Sequence, residues 1–397
     1  MDKKTLRDIE VGGKRVLVRV DFNVPLDRET GAIADDIRIR AALPTIDYLI
    51  GRGAKVILCS HLGRPGGKIV DGLRLAPIGQ RLSGLLSRPV SVAQECVGPE
   101  VEAAVAGLKP GEVLLLENLR FHIEEERNDP AFAQALGRLA DIYVNDAFGT
   151  MHRAHASTEG IARYLPAVAG FLVEKELDVM GRSLNAPARP FAAIIGGAKV
   201  SDKIAVLENI LERVDLLLIG GGMASTFLKA QNLGVGRSAI EEDKLGVVAE
   251  LMERARGKGI RLSLPIDVVV APSLDADAVA RTVPVGEVPA DQLIADIGPR
   301  TIELFGRELR SCGTVIWNGP MGVFEIAQFA RGTRDLVRLV AGLEATTIIG
   351  GGSTAEAVEE MGLGGKMSHV STGGGAALEF LEGRTLPGVA VLLDKND

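Results

Sequence analysis

Short apolar segments recur along this chain, and segments with a helical pattern separate them. The apolar residues follow one another without polar alternation, which is typical of strands buried on both faces of a sheet. The predicted strands are 15–20, 54–59, 112–117, 141–146, 191–197, 214–221, 261–271, 314–319 and 345–351. Strands that alternate with helices predict an α/β fold in which helices cover both faces of parallel sheets.

The order of these segments predicts two doubly wound, parallel-sheet (Rossmann-like) domains joined by a hinge helix. A length of 397 residues is enough for two to three domains of ordinary size. We predict an N-terminal domain over 1–170, a connecting helix and hinge over 171–189, and a C-terminal domain over 190–375. The connector ends at SLNAPARP, which carries two prolines. The last segment, 376–397, is predicted to pack back on the N-terminal domain.

Composition and charge argue against several classes of protein. With 46% hydrophobic and 24% charged residues the chain has an ordinary globular balance. A formal net charge of −7 argues against a general binder of nucleic acid or of membrane surfaces. No apolar run is long enough to predict a membrane span. Cys59, Cys96 and Cys312 are odd in number and widely spaced, which predicts a reduced, cytoplasmic protein.

Four glycine-rich turns lie in the second half of the chain, at 196–203, 220–225, 350–357 and 371–379. Glycine lets backbone N–H groups approach an anion, and a helix that starts there adds a favourable dipole. One such turn is as readily structural, but four together favour a nucleotide or other anion site. Lys199 and Lys203 suit a polyphosphate, although the same spacing also occurs on a solvated helix face. Neither the P-loop sequence nor GxGxxG is present.

Basic residues in the first half follow the predicted strands or precede a helix. In a parallel sheet the carboxyl ends of strands lie along one edge, so these side chains are expected to converge there. Arginine suits carboxylate and phosphate because its planar fork matches two oxygens. Each residue taken singly is more commonly a surface charge or a loop hydrogen bond. The candidates are Arg38, His61, Arg64, Arg120 and Arg153, with Asp21 and Asn23 as polar partners.

Seven strings of the sequence resemble the signatures of phosphoglycerate kinases, in the order and spacing of that family. They span residues 18 to 376 and therefore nearly the whole chain. The strings are VRVDFNVP (18–25), SHLGRP (60–65), LLENLRFH (115–122), VNDAFGTMHRAHAS (144–157), GGAKVSDK (196–203), WNGPMGVFE (317–325) and HVSTGGGA (369–376).

The resemblance implies a monomeric glycolytic enzyme that transfers a phosphoryl group between 1,3-bisphosphoglycerate and ADP, with Mg2+ on the nucleotide. Two α/β domains would close around the reacting groups. The acid phosphate, 3-phosphoglycerate, would be bound by Asp21, Asn23, Arg38, His61, Arg64, Arg120 and Arg153. The nucleotide would be bound by Lys203, Gly221, Asn318, Glu325, Gly351, Gly352, Ser353 and Thr354. The phosphoryl group in transfer would be held by Arg38, Lys199, Gly373, Gly374 and Gly375.

One position departs from the family pattern. The turn GGG-x-[Ser/Thr] commonly carries an acidic residue that helps to hold magnesium, and Ser353 stands there instead. A hydroxyl is a weaker ligand than a carboxylate for a hard cation. One alternative is therefore a nucleotide-binding relative with impaired metal chemistry. A nicotinamide-dependent dehydrogenase and a purely structural protein are further alternatives, and the missing GxGxxG and the many basic positions argue against them.

Overall fold

A computed structural model of the chain describes residues 2–27 and 29–396. The chain divides into two compact units. The first spans Met1–Asp178 and Thr385–Asp397, and the second spans Val179–Arg384. Each unit is built on a parallel six-stranded sheet with helices, so the predicted fold class is confirmed.

The sheet of the first unit has the strand order β3-β4-β2-β1-β5-β6. Its strands are β1 (Arg15–Val20), β2 (Lys55–Cys59), β3 (Val90–Val92), β4 (Val113–Leu115), β5 (Ile142–Asp146) and β6 (Ala167–Ala169). The chain enters at the centre with β1, which pairs in parallel with β2 on one side and β5 on the other. Val16, Val18 and Val20 are buried in the core of this unit, and Leu17, on the opposite face of the strand, is buried as well. Burial on both faces explains why apolar residues follow one another here.

The large sheet of the second unit has the order β15-β14-β13-β7-β8-β9. Its strands are β7 (Phe191–Ile195), β8 (Leu216–Ile219), β9 (Arg261–Ser263), β13 (Thr314–Asn318), β14 (Thr346–Gly350) and β15 (His369–Val370). A smaller antiparallel sheet contains β10 (Asp267–Ala271), β11 (Arg281–Pro284) and β12 (Leu293–Ile297). Trp317 on β13 is fully buried in the core of this unit.

The predicted strand 261–271 is two strands in the structure. Residues 261–263 form β9 at the edge of the parallel sheet, and 267–271 form β10 in the antiparallel sheet. Pro265 lies between them, and proline has no N–H for a strand ladder. The single predicted strand ran across this break because apolar residues lie on both sides of Pro265, although only β10 contains buried residues.

Helices follow most of the strands. Their bounds are α1 (Ile37–Gly51), α2 (Ala76–Leu86), α3 (Pro99–Gly107), α4 (Ile123–Glu126), α5 (Pro130–Arg138), α6 (Phe171–Asn185), α7 (Ile204–Ile210), α8 (Ala224–Ala230), α9 (Leu245–Gly257), α10 (Pro299–Leu309), α11 (Arg331–Ala341), α12 (Gly352–Glu360), α13 (Gly375–Leu381) and α14 (Pro387–Ala390). Among the described residues, no helix is both long enough and apolar enough to cross a bilayer.

The division between the units falls within α6, which lies in the predicted connector. The C-terminal residues return to the first unit, where Leu393 accepts from Lys4 N at 2.8 Å and donates to Ala167 O at 2.9 Å. The sequence interpretation began this last segment at 376, whereas residues 376–384 belong to the second unit. Asn209 on α7 donates to Leu381 O on α13 at 2.6 Å, which holds this helix in the second unit.

Candidate active site

Several predicted acid-site residues follow the carboxyl ends of strands in the first sheet. Asp21 and Asn23 follow β1, and His61 follows β2. The strand order reverses between β1 and β5, and ligands of doubly wound sheets bind outside the carboxyl ends at such a reversal. Arg153 lies in the loops beyond β5, seven residues after the strand ends. The topology therefore brings these residues to one edge of the sheet.

Hydrogen bonds organise the polar members of this cluster. Arg38, near the start of α1, donates from Nη1 to Asp21 Oδ2 at 2.9 Å. Asn23 Oδ1 accepts from the backbone N–H of Gly63 at 2.8 Å. Arg120 Nη1 donates to the carbonyl oxygen of Gly63 at 2.8 Å. The loop that follows His61 is thus held from two sides by residues predicted to bind the acid.

His61 is the most deeply buried predicted ligand of this cluster, with 3% of its surface exposed. Burial lowers the pKa of His61 well below its ordinary value, and positive charges on Arg19, Arg120, Arg153 and Arg38 lower it further. The imidazole is therefore neutral at physiological pH, while the surrounding guanidinium groups remain charged. Such a cluster suits an anionic ligand with several oxygens.

Arg153 and Arg64 are less firmly held than the other members. Arg153 donates from Nε to His152 Nε2 at 3.1 Å and is partly buried. Arg64 is exposed three residues after His61. In the described part of the chain, no hydrogen bond or ion pair joins the Arg64 side chain to the other cluster residues. Its membership of the site remains a prediction from the sequence.

Sequence reasoning missed Arg19, although it was visible as a charge inside the apolar strand β1. The side chain is 1% exposed and its Nη2 lies 3.0 Å from His61 Nδ1. It also missed Glu125 and Ser157. These two residues are joined by hydrogen bonds, and the Ser157 hydroxyl accepts a further hydrogen bond from Arg19. The string IEEE at 123–126 offers no signal that one of its glutamates is fully buried.

The second unit contains a cavity of about 540 Å³ at the carboxyl ends of its strands. Gly221, Glu325 and Ser353, three of the predicted nucleotide residues, line it. Apolar lining comes from side chains such as Leu228, Val268, Leu293, Met321 and Val323. An apolar cavity with a few polar groups in its lining is typical of a small-molecule site.

Gly221 is needed for the shape of the turn after β8. Its φ of +68° lies in the left-handed region, which side-chain-bearing residues rarely adopt. A Cβ at this position would lie 2.6 Å from Gly197 N and 2.7 Å from Pro320 O. The glycine-rich turns at 196–203 and 220–225 and the loop after β13 therefore contact one another here. Gly197 and Pro320 are each at least 24 residues from Gly221 in sequence.

Lys203 and Asn318 are joined directly, the ammonium group donating to Asn318 Oδ1. Burial lowers the pKa of Lys203 below its ordinary value, and the negative charges of Asp202 and Glu382 oppose this effect. Asn318 is 1% exposed, and its Nδ2 has no hydrogen-bond partner among the described residues. A buried amide with an unsatisfied donor is costly unless a ligand or water completes it.

The turn between β14 and α12 lies beside Asn318. Gly351 has a φ of +86°, and a Cβ there would lie 3.3 Å from Asn318 Nδ2. Gly352 begins α12, and the hydroxyl of Thr354 accepts from Gly319 N at 2.8 Å. The glycine turn, Asn318 and the start of a nine-residue helix are therefore grouped, an arrangement that favours phosphate.

The remaining predicted residues of the second unit are placed less specifically. Lys199 is exposed in the turn after β7. Gly373 donates from its N–H to Ser371 Oγ at 3.1 Å, and Gly374 has a φ of +49°. Gly375 begins α13. No described contact joins Lys199 to Gly373, Gly374 or Gly375, so their shared role stays a prediction.

Ser353 is the position where the family pattern has an acidic residue. It is partly buried, lies in the first turn of α12 and lines the cavity. The described residues include no group of three or more histidine, cysteine, aspartate or glutamate side chains arranged to hold a metal ion. At this position the side chain therefore offers a neutral hydroxyl oxygen in place of a carboxylate.

A family model described as phosphoglycerate kinase matches residues 6–384. The chain belongs to the phosphoglycerate kinase family. It is accordingly a kinase, that is, a phosphotransferase. The dehydrogenase and structural alternatives do not agree with this membership, and the metal-impaired relative is not favoured by it.

Named phosphoglycerate kinases are similar to this chain over its full length. The enzyme of Moorella thermoacetica is 59% identical over 395 residues and covers 100% of both chains. That of Chloroflexus aurantiacus is 59% identical over 399 residues, with coverage of 99% of this chain and 100% of the relative.

Solved phosphoglycerate kinase structures have the same fold. The Coxiella burnetii structure is 41% identical, with a TM-score of 0.88, and 98% of each chain is covered. The Pyrococcus horikoshii structure is 35% identical, with a TM-score of 0.85 and the same coverage.

Proposed function

We propose that this phosphotransferase catalyses the reversible glycolytic transfer of a phosphoryl group from 1,3-bisphosphoglycerate to ADP, which yields 3-phosphoglycerate and ATP. The observation that carries the proposal is the pairing of two different anion sites on two sheets. One is a cluster of arginines around a neutral histidine, and the other is a cavity bordered by glycine turns. Family membership supplies the reaction that joins an acid phosphate and a nucleotide.

The cluster in the first unit supports binding of the acid phosphate. Arg38, Arg120 and Arg153 each place positive charge near His61. Guanidinium groups form paired hydrogen bonds with carboxylate or phosphate, and 3-phosphoglycerate carries one of each. Asp21 and Asn23 add acceptors suited to its hydroxyl group. Arg64 extends the proposed site through the resemblance alone.

The cavity in the second unit supports binding of the nucleotide. Its apolar lining suits a purine ring, and the polar residues Glu325 and Ser353 lie among the residues that border it. Lys203 and the unsatisfied Asn318 Nδ2 suit phosphate oxygens. Gly351, Gly352 and Thr354, at the start of α12, would bring backbone N–H groups to the same phosphates.

The proposed reaction needs no general base on the protein. In the direction of ATP consumption the nucleophile is the carboxylate of 3-phosphoglycerate, which is ionised at neutral pH. Catalysis then consists of alignment and stabilisation of negative charge on the transferred phosphoryl group. We assign that stabilisation to Arg38 and Lys199, with the N–H groups of Gly373, Gly374 and Gly375.

Magnesium enters this proposal as part of the substrate, bound to the phosphates of ADP or ATP. The protein would add the Ser353 hydroxyl, which fits a hard cation as a neutral oxygen ligand. Phosphate oxygens and water would complete the coordination, as is usual for magnesium nucleotides. Activity that depends on magnesium is therefore expected without a carboxylate at this turn.

The two proposed sites belong to different units of the chain, so transfer requires the bound substrates to approach each other. We propose hinge bending at α6, where the division between units falls. Small-angle scattering with both substrates should show a smaller radius of gyration, and an unchanged radius would contradict closure. We further propose that the protein is a monomer and that it is cytoplasmic. The cytoplasmic location is supported by three cysteines that are buried and form no disulfide.

A coupled assay tests the proposed function. Purified protein is supplied with ATP, magnesium and 3-phosphoglycerate, and product is followed as NADH oxidation by glyceraldehyde-3-phosphate dehydrogenase. We expect turnover that requires all three components. Absence of turnover in correctly folded protein, with magnesium in excess, would refute the proposed reaction.

A further inference from the structure

A buried polar chain connects Glu125 to His61. Ser157 donates its hydroxyl to Glu125 Oε1 at 2.6 Å and its backbone N–H to Oε2 at 2.9 Å. Arg19 Nε donates to the same Ser157 hydroxyl at 2.9 Å, and Arg19 Nη2 lies 3.0 Å from His61 Nδ1. The four side chains are buried, with exposed fractions between 0% and 3%.

The chemistry of the guanidinium group assigns the hydrogen atoms along this chain. Arginine has donors and no acceptor, so the contact between Arg19 and His61 requires that Nδ1 accepts. The ring proton of neutral His61 then lies on Nε2. Protonation of Nδ1 would break the hydrogen bond and place two positive charges 3.0 Å apart. His61 is thereby restricted to one tautomer, whose Nε2–H is a neutral donor.

Glu125 is the anionic partner that allows Arg19 to lie in the interior. A buried charge is strongly unfavourable unless an opposite charge and hydrogen bonds compensate it. Burial raises the pKa of Glu125, while the charge of Arg19 and the two hydrogen bonds from Ser157 lower it. His155 Nδ1 lies 3.9 Å from Glu125 Oε1. Burial lowers the pKa of His155 to about 4, so His155 is neutral at pH 7 and does not replace Arg19.

We propose that Glu125 and Ser157 are positioning residues of the acid site, which hold Arg19 so that it fixes His61 as the neutral Nε2–H tautomer. The Nε2–H group then donates to an oxygen of the acid phosphate. This last step rests on the proposed function, whereas the tautomer and its dependence on Glu125 do not. Glu125 itself touches neither substrate nor the reacting atoms and acts through Ser157 and Arg19.

Nitrogen-15 spectroscopy of the unmodified protein tests the tautomer without any assay. The protein is labelled at its histidine nitrogens, and the His61 signals are assigned as those lost in His61→Gln. We expect two well-separated His61 signals at neutral pH, with Nδ1 as the unprotonated and Nε2 as the protonated nitrogen. A protonated Nδ1, or signals averaged between the tautomers, would overturn the proposal.

Glu125→Gln tests the dependence on the carboxylate, because glutamine keeps the size and removes the charge. We expect the His61 signals to move toward averaged values and KM for 3-phosphoglycerate to rise about tenfold, with kcat and KM for ATP nearly unchanged. Glu124→Gln is the matched control, since Glu124 lies exposed on the same helix. It should alter neither the spectrum nor KM.

If Glu125→Gln does not fold, the same measurements are made on a second variant, Ser157→Ala. It removes the hydroxyl between Glu125 and Arg19, so the same change in the His61 signals and in KM is expected. Unchanged signals and KM in a folded variant would overturn the proposed role. If the unmodified protein is inactive toward 3-phosphoglycerate but its His61 signals change in Glu125→Gln as expected, the positioning of His61 stands and the proposed function fails.

Discussion

Arg38 and Asp21 form a charge-assisted hydrogen bond of 2.9 Å between Nη1 and Oδ2 in the first unit. The aspartate side chain is 13% exposed and the arginine side chain 39% exposed. Arg38 is thus anchored at one nitrogen. Its other guanidinium nitrogens form no hydrogen bond with residues 2–27 and 29–396, which leaves them available to a ligand. This anchoring is what a residue needs if it must contact both a bound acid and a phosphoryl group in transfer.

Arg38→Lys should therefore be a severe substitution. Lysine cannot keep the bond to Asp21 and also contact a second anion through a planar fork. We expect kcat/KM for 3-phosphoglycerate to fall by about 100-fold in the coupled assay. Arg40→Lys is the matched control on the same helix, because Arg40 pairs with Asp36 and is half exposed. Equal activity of the two variants would contradict the assigned role of Arg38.

Lys199→Ala should act mainly on the chemical step. Lys199 is exposed in the turn after β7, so its loss leaves the core intact. If its ammonium group stabilises the phosphoryl group in transfer, kcat should fall by about 100-fold or more. Steady-state kinetics with Lys229→Ala, an exposed lysine on α8, provides the control. A large increase in KM with unchanged kcat would indicate uniform loss of binding instead.

Ser353→Asp tests how magnesium is held. A carboxylate is a stronger magnesium ligand than a hydroxyl, so the variant should reach half-maximal activity at a lower magnesium concentration. The unmodified protein should reach full activity at higher magnesium, because phosphates and water supply the other ligands. A magnesium titration of both proteins decides the matter. Activity confined to the aspartate variant would favour the metal-impaired alternative.

Gly221→Ala should destabilise the second unit and weaken nucleotide binding. The residue has positive φ, and a Cβ would meet backbone atoms of Gly197 and Pro320 at 2.6–2.7 Å. Left-handed backbone and overpacking together cost roughly 2–5 kcal/mol. Gly246→Ala on α9 meets no atom within 4 Å and should raise stability by about 0.5–1 kcal/mol. Urea unfolding and nucleotide titration measure both effects.

Asp146→Asn should change how stability depends on pH. Burial raises the pKa of Asp146 to about 7, from 3.8, against hydrogen bonds from Thr45 and Leu172. The folded state therefore keeps a proton that the unfolded state loses, so this group's contribution to stability falls as pH rises from about 4 to 7. Asparagine has no such titration. Relative to that of the unmodified protein, the free energy of unfolding of the variant should therefore increase by up to about 4 kcal/mol as the pH rises between these limits.

Urea unfolding at pH 5 and pH 8, followed by circular dichroism, measures the Asp146→Asn effect. Asp47→Asn is the control because Asp47 lies exposed on α1. A stability difference between Asp146→Asn and the unmodified protein that is the same at both pH values would contradict the raised pKa.

Strands at the centre of a sheet were predictable because burial on both faces imposes a continuous apolar run. The predicted segment 15–20 coincides with β1, and 141–146 differs from β5 by one residue. The prediction of one strand over 261–271 was wrong because the apolar composition of a segment does not reveal which sheet it joins. Pro265 was a local signal that this run could not be one strand.

Individual site residues could be proposed from motifs, but their partners could not. The side chains of Lys203 and Asn318 form a hydrogen bond although the two residues are 115 positions apart in sequence. Nothing in the string IEEE distinguishes Glu125, which is fully buried, from its exposed neighbours. The charge of Arg19 within an apolar strand was a sign of a buried polar interaction, but not of its partner.

The sequence by itself determined the fold class and the family, because hydrophobic period, glycine turns and motif strings are local properties of the chain. Only the tertiary structure decided that Arg19 contacts His61 Nδ1 and that β10 belongs to the antiparallel sheet. It also decided that Asn318 Nδ2 has no hydrogen-bond partner within the described part of the chain. Hydrogen-bond partners, burial and pKa shifts depend on which distant segments pack together. Packing of that kind arises from the whole set of contacts, which no local pattern encodes.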